Sequence, residues 1–543
     1  MKRKGIIMLI VALCIALFAS AAMAVTDEAS LRTAVQSDGI VTLENNIALA
    51  DAKGPLVIEK NVTLDLNGFE LSRDSESTAN SFVIQVAGGT LTINDGSADK
   101  TGTIKSINTN DQKARGIQIG TSSTTDGNGV GGTVFFNSGT IIADKEHNGY
   151  GVVLYGNSDR SDPDNREPIP VNFTMEDGAK IEAQFAGIAT FGIKNTINIH
   201  GGEIISDAYA ISGNGNKWNG GSEINISGGT IISNEDVAIY HPQDGVLNIS
   251  GGTITGYDGV QMVGGTLNIT GGTIVATGEF NETYEKNSDG SINGGAAVSI
   301  LSRAGYVGEI TVNISGNPTL ESTNGYAIAE ATVTTNGVVN IDKKFKGMTI
   351  SGGTFIASEG KDAIFVEFAT KEDTKITGGT FNSDISTLSE KITVPTMTQD
   401  ENGNFVAVTV PATDLNIDES NLYELLVGDT LQLSVGQTLQ LKAVMQPENA
   451  NDKIVWGSSD EAVATVDQSG LVKAVSVGMV SISASITHTD LSISDEIAFT
   501  VVEATTSDDV KPQPSGSGGG GCSAGFGALA LLAALPLLRM RKK

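Results

Sequence analysis

From Leu247 to Gly256 the chain reads LNISGGTITG, with apolar residues at Leu247 and Ile249 and polar ones at Asn248 and Ser250. This alternation predicts a strand with one face buried. Gly251 and Gly252 then turn the chain, since glycine tolerates positive φ, and Ile254 opens the next short strand. The phrase stands also at Ile197 (INIHGGEIIS), Ile224 (INISGGTIIS) and Leu267 (LNITGGTIVA). Looser copies follow at Val312 (VNISGNPTLE), Met348 (MTISGGTFIA) and Thr374 (TKITGGTFNS). A second motif falls between phrases: YGVVLYG, FAGIATFG, AYAISG, DVAIYH, DGVQMVG, AAVSIL, YAIAEA and DAIFVE. It too reads as a strand, of small and β-branched residues, so each repeat is expected to hold two or three short strands.

The glycine pairs begin at Gly201, Gly228, Gly251 and Gly271, spaced 27, 23 and 20 residues apart. A period of this size with strand content predicts a solenoid, in which identical turns stack and successive coils bury one apolar core. Ile226, Ile249 and Ile269 share a slot and are expected to point inward in successive coils. Asn198, Asn225, Asn248, Asn268 and Asn313 share another, as a stacked amide ladder or as separately solvated side chains. Antiparallel sandwiches are the alternative architecture, but they give no reason for a registered phrase. Weaker strand–Gly–strand units lie upstream, at Val62, Leu91, Val134 and Phe173. Helical patterning is confined to Ala29 to Gln36, which would cap the open end of the solenoid.

On these motifs the region from Val25 to Ala407 resembles the pectate-lyase-like right-handed parallel β-helix superfamily. The resemblance implies the fold and leaves function open, because the superfamily holds enzymes, adhesins and stalks. The fold class expected is all-β: a right-handed parallel β-helix over 25–407, followed by an immunoglobulin-like β-sandwich over 408–503. Within the latter, Leu433 to Ile486 alternates with period two. Leu439, Leu441 and Trp456 are expected in its core. VGQTLQL, PENANDKIVWGSSDEAVATVD and GLVKAV resemble the bacterial immunoglobulin-like group 2 domain. VGDTLQL at Val427 recurs as VGQTLQL at Val435, which leaves open which copy forms the early strand.

The ends change the picture. MKRKG, an apolar run from Ile6 to Ser20 and the small residues Ala22 and Ala24 read as a secretory signal, 1–24, cleaved to leave Val25 first. Thr505 to Gly521 has linker composition, and the linker is placed at 504–521. The segment 522–543 follows, CSAGFGALALLAALPLLRMRKK, whose apolar run is short for a bilayer. Glycines, apolar run and basic end resemble a Synergistetes-type C-terminal sorting signal. That resemblance implies cutting near Gly521 and Cys522; a plain membrane anchor is the alternative. Either way the expected location is the cell surface or outer envelope, with the C-terminal segment at a membrane.

The formal net charge is −29, and removing the seven basic residues of the two ends takes it to −36. Such a chain repels nucleic acid, which is excluded as a partner. The two cysteines, Cys14 and Cys522, lie in the terminal segments, so the body has no disulfide and no cysteine-based zinc or catalytic site. Hydrolases of the resembling superfamily use clustered aspartates, and its lyases use a basic residue with calcium. The Asp pair Asp508 and Asp509 lies in the linker. His147, His200, His241 and His488 share no motif, and His200 replaces the Ser of the repeated turn. The acidic loop Ser158 to Glu167 lacks the spacing of a calcium loop. The expectation is therefore no enzyme, no catalytic or metal-binding residue and no cofactor. The leading function is that of an exported adhesin or surface-structural protein that meets a glycan or a host or neighbour-cell surface. The alternative is a carbohydrate-active enzyme or glycan-binding module on the β-helix.

Overall fold

The computed structural model describes residues 22–503 except 111–112, 122–128, 145, 158–166, 282, 285–289, 307, 336–337, 340–343, 409, 421, 423–424, 428–429, 448–449, 451, 453 and 488–491. Each repeat folds into one coil with three strands. The first face of the solenoid contains Asn195–Ile199, Ser222–Ile226, Gly245–Ile249, Gly265–Ile269 and Ile310–Ile314. The second contains Glu203–Ser206, Thr230–Ser233, Thr253–Gly256, Thr273–Ala276 and Thr319–Ser322. The third is an 11-stranded sheet running from Leu56–Ile58 to Ile364–Val366. Pairing between coils is parallel on all three faces. This is a parallel β-helix, and it excludes the antiparallel sandwich for this region. In two upstream coils the strands Gly132–Ala143 and Val171–Ala183 run through both of the first two faces, with a register shift between Phe136 and Ser138.

Ile226, Ile249 and Ile269 are in register in consecutive coils and all buried. They belong to one apolar cluster that extends from Val25 to Ile392. The two glycines of each turn serve different ends. A Cβ on the first would strike the coil below: 2.2 Å from the His200 carbonyl oxygen at Gly228, and 2.2 Å from that of Ser227 at Gly251. The second has positive φ, +87° at Gly229 and +85° at Gly252, which side chains disfavour. Stacking thus demands the first glycine, and the turn demands the second.

Both ends of the stack are covered. The helix Glu28–Ala34 begins one residue earlier than its apolar pattern suggested, because Asp27 caps it. The Asp27 side chain accepts from the Ser30 amide, and Ser30 accepts from the Asp27 amide. Leu31, Ala34 and Val35 seat in the core. At the other end, Met397–Gln399 and Phe405–Ala407 form an antiparallel hairpin paired to Thr380–Phe381.

A second apolar core contains Leu433, Leu441, Trp456, Val472, Ile482 and Phe499, with Leu439 half-buried against it. Both copies of the duplicated phrase are strands, in different sheets. Thr430–Ser434 pairs in parallel with Ser492–Val502, and Thr438–Gln440 pairs antiparallel with Leu471–Ala474.

Candidate functional site

The outer surface of the β-helix is not uniform. On the first face, Asn225, Asn248, Asn268 and Asn313 each donate to the amide oxygen of the preceding asparagine, at 3.0, 2.8, 2.8 and 2.9 Å. The stacked ladder, rather than separate solvation, is what forms. The second face carries a column of threonines in register, Thr230, Thr253, Thr273, Thr319, Thr354 and Thr380. The third face is different. Its strands turn Val152, Ile188, Ile211, Ile239 and Val260 inward, into the main core. On their outer side a separate cluster gathers Tyr150, Tyr209, Tyr240, Tyr284 and Leu301, with Tyr155, Phe185, Phe191, Tyr306, Tyr326 and Phe365 half-buried at its margin.

These rings are stacked coil upon coil. Tyr155 lies on Phe191 at 5.2 Å between centroids, Tyr150 on Phe185 at 5.1 Å and Tyr209 on Tyr240 at 5.5 Å. Further along, Tyr326 lies on Phe365 at 5.1 Å. Cations sit over several of them: Lys113 is 4.9 Å from the Tyr150 ring, Arg115 5.4 Å from Tyr155, Arg303 4.4 Å from Tyr306 and Lys361 3.7 Å from Phe280. In a chain with 63 acidic and 34 basic residues, cations concentrated over rings set this face apart.

Ser291 to Gly295 lie against this face. Tyr209 donates to Ser291 at 2.9 Å, and Ser291 donates to Asp236 at 2.8 Å. Gln261 donates to the Ile292 carbonyl and accepts from its amide, at 2.6 and 3.0 Å. Asp258 accepts from the Gly295 amide at 2.6 Å and from the Ser299 hydroxyl. Burial pushes the Asp258 carboxyl up to about 6, against the lowering effect of Ser299 and the Gly295 and Gly294 amides. Burial also raises the Glu330 carboxyl, although the Phe368, Glu367 and Ala369 amides all donate to it. These acids come from different coils and have no local sequence motif. The aromatics did have one: YGVVLYG, FAGIATFG and DVAIYH place rings at the ends of the third-face strands, a signal hidden behind the small and β-branched residues.

The other residues singled out in the sequence are dispersed. Ala22 and Ala24 are exposed, and Ala24 lies in the strand Met23–Val25, whose last residue is buried against the solenoid. Gly521, Cys522, Asp508, Asp509 and His488 lie outside the described residues, as does the acidic loop up to residue 166. His200 is a turn residue whose Nδ1 lies 2.9 Å from Glu176. His241 is buried, and desolvation lowers its pKa, so it is neutral and donates from Nδ1 to the Gly264 carbonyl. Trp456 is packed in the second core. Among the described residues no cluster of His, Cys, Asp and Glu is arranged to hold a metal ion, and no helix is long and apolar enough to cross a membrane.

Residues 426–490 match the family model for the bacterial Ig-like domain (group 2). The chain is 39% identical over 116 residues to a 3-O-alpha-D-galactosyl-alpha-L-arabinofuranosidase of Bifidobacterium longum subsp. longum, covering 20% of this chain and 10% of that protein. It is 36% identical over 91 residues to a lacto-N-biosidase of Bifidobacterium bifidum, covering 17% and 8%. An uncharacterized protein of Clostridium acetobutylicum is 37% identical over 78 residues, covering 14% and 19%. The chain thus spans less than a fifth of the length of each. The two glycosidases overturn the expectation of no enzyme. That expectation rested on acids adjacent in sequence, whereas coil stacking gathers acids from separate repeats along the third face: Asp258, just before the strand Val260–Met262, and Glu330, within the strand Ile328–Thr332 of the same sheet. The findings support a surface or carbohydrate-related protein with a group 2 bacterial Ig-like domain near its C-terminal end.

Proposed function

We propose that the chain is an exported, envelope-attached, carbohydrate-active protein that holds saccharide against the third face of its β-helix. The observation that carries this reading is the row of half-exposed rings, Tyr155, Phe185, Phe191, Tyr306, Tyr326 and Phe365, with cations beside them. Flat rings pack against the apolar C–H faces of sugars, while nearby polar groups fix orientation. The similarity to two glycosidases supports a saccharide as the ligand. The immunoglobulin-like domain is the spacer between this face and the envelope.

A glycan array probed with the full chain tests the reading. Tyr155→Ala with Phe191→Ala should weaken binding, as should Phe365→Ala at the other end of the row. Binding unaffected by all three substitutions would refute it. Asp258 is fully buried and hydrogen-bonded to the Gly295 amide and the Ser299 hydroxyl, so it holds the face together and does not touch a saccharide bound on it.

For export, the segment before Val25 is the removed signal, and cutting after Ala24 would spare the buried Val25. Processing near Gly521 or Cys522 would leave the protein on the envelope. Mass spectrometry of envelope protein checks this, and an intact C-terminus ending in RMRKK would refute it.

A further inference from the structure

Arg115 stands out among the basic residues of the solenoid. It lies in the third-face strand Ala114–Ile119 and is only 5% exposed. The other arginines near it in sequence are paired: Arg32 with Glu28 at 2.9 Å, and the buried Arg73 with Asp51 at 2.7 Å. Among the described residues Arg115 has no carboxylate partner. One Nη donates to the Gln118 amide oxygen at 2.6 Å, the other to the Tyr155 hydroxyl at 3.4 Å, and Nε has no partner.

A guanidinium offers five N–H donors in a planar fork that matches a carboxylate. Holding one out of water without a counter-charge is costly. Gln118 and Tyr155 satisfy two donors with neutral oxygens, and no carboxylate among the described residues compensates the positive charge. Beside it lies the half-buried stack of Tyr155 on Phe191, a flat apolar platform next to an unpaired cation. A sugar carrying a carboxylate presents both matching features: an anion for the fork and a C–H face for the rings.

We propose that Arg115, Gln118, Tyr155 and Phe191 form an anion subsite that takes the carboxylate of an acidic sugar. The proposal rests on the reading of the third face as saccharide-binding and names the ligand chemistry at one end of it. A sialylated glycan and a uronate oligosaccharide both supply the carboxylate, so each is used as a probe, with the matching neutral glycan as control.

Isothermal titration of the full chain at low and high salt measures the three affinities. The acidic glycans should bind on the order of tenfold tighter than the neutral one, a preference lost in Arg115→Gln and weakened by salt. Arg115→Lys keeps the charge but loses the fork, and should recover only part of the preference. Should either variant fail to fold, hydrogen exchange of the unaltered protein decides. Protection by the acidic glycan is expected in Ala114–Ile119 and Tyr150–Tyr155, and protection confined to other segments would overturn the proposal. Equal affinity for acidic and neutral glycans overturns it while leaving the wider reading in place. No binding to any saccharide removes both.

Discussion

Replacing Gly251 by alanine probes why each turn needs its first glycine. The added Cβ falls 2.2 Å from the Ser227 carbonyl oxygen, about 1 Å inside a normal carbon–oxygen contact of ~3.3 Å. Relief requires the two coils to part by about that distance at the turn. Two bonds between the coils flank it, from Ser250 to the Ile226 carbonyl at 2.8 Å and from Thr253 to the Gly229 carbonyl at 2.9 Å. Losing both costs about 1 kcal/mol each, and overpacking adds about 1–3 kcal/mol. The expected loss is about 3–5 kcal/mol, a large share of the stability of a typical domain. Gly360 is the control. Unlike Gly251 it has positive φ, +79°, but nothing lies within 4 Å of its added Cβ, so alanine there costs about 1 kcal/mol of backbone strain. Urea titration followed by circular dichroism gives the midpoints, and hydrogen exchange in Ser222–Ile226 and Gly245–Ile249 locates the damage. Equal midpoints for Gly251→Ala and Gly360→Ala would refute the argument from close approach.

Ile249→Ala should cost about 2–5 kcal/mol. Ile249→Asp should abolish exchange protection in Ser222–Ile226 and Gly265–Ile269, because it buries an unpaired charge; surviving protection would contradict the stacked core. Asn248→Ala removes one bond to Asn225 and one from Asn268 and should cost about 1–2 kcal/mol. Asn313→Ala removes the single bond to Asn268 and should cost less by urea titration. Asp258 titrates in the folded state at about 6, above its ordinary value of 3.8, so folding favours its protonated form. Its contribution is fully present below about pH 4 and is lost as pH rises through about 6, a change of about 3 kcal/mol. The stability of Asp258→Asn relative to the unaltered chain should therefore rise between these values, and a pH-independent difference would contradict the assigned shift.

The architecture was legible in the sequence because one phrase carried three independent signals. Leu247 and Ile249 alternate with Asn248, the glycine pair marks the turn, and the copies fix which residues stack. The equal slots of the asparagines left a ladder and separate solvation both open, and only the amide contacts between coils decide for the ladder. The third strand of each coil was harder to read, since in DGVQMVG and AAVSIL its outer side is also buried and gives no alternation. That second burial, beneath rings and beneath Ser291 to Gly295, arises from contacts between coils. Tyr209 and Ser291 are far apart in the chain and hydrogen-bonded in space, and no local pattern announces them. The same holds for Arg115, whose lack of a carboxylate among the described residues is visible only once its neighbours are in place. The duplicated phrase near Val427 read as an ambiguity because either copy fits a strand; the two sheets use one each.

The exact registry of the copies also has a hereditary consequence. Adjacent phrases such as those at Ile224 and Leu247 are nearly interchangeable, and the residues that contact neighbours occupy the same slots in both. Recombination out of step between two such phrases adds or removes one whole coil and leaves every surviving junction of the familiar kind. Each exchange would change the length by one strand spacing, ~4.8 Å. The eleven strands of the third sheet span about 50 Å on this scale. The reach of the molecule is therefore a quantity that a lineage can adjust in small equal steps, with its two end caps carried along unchanged.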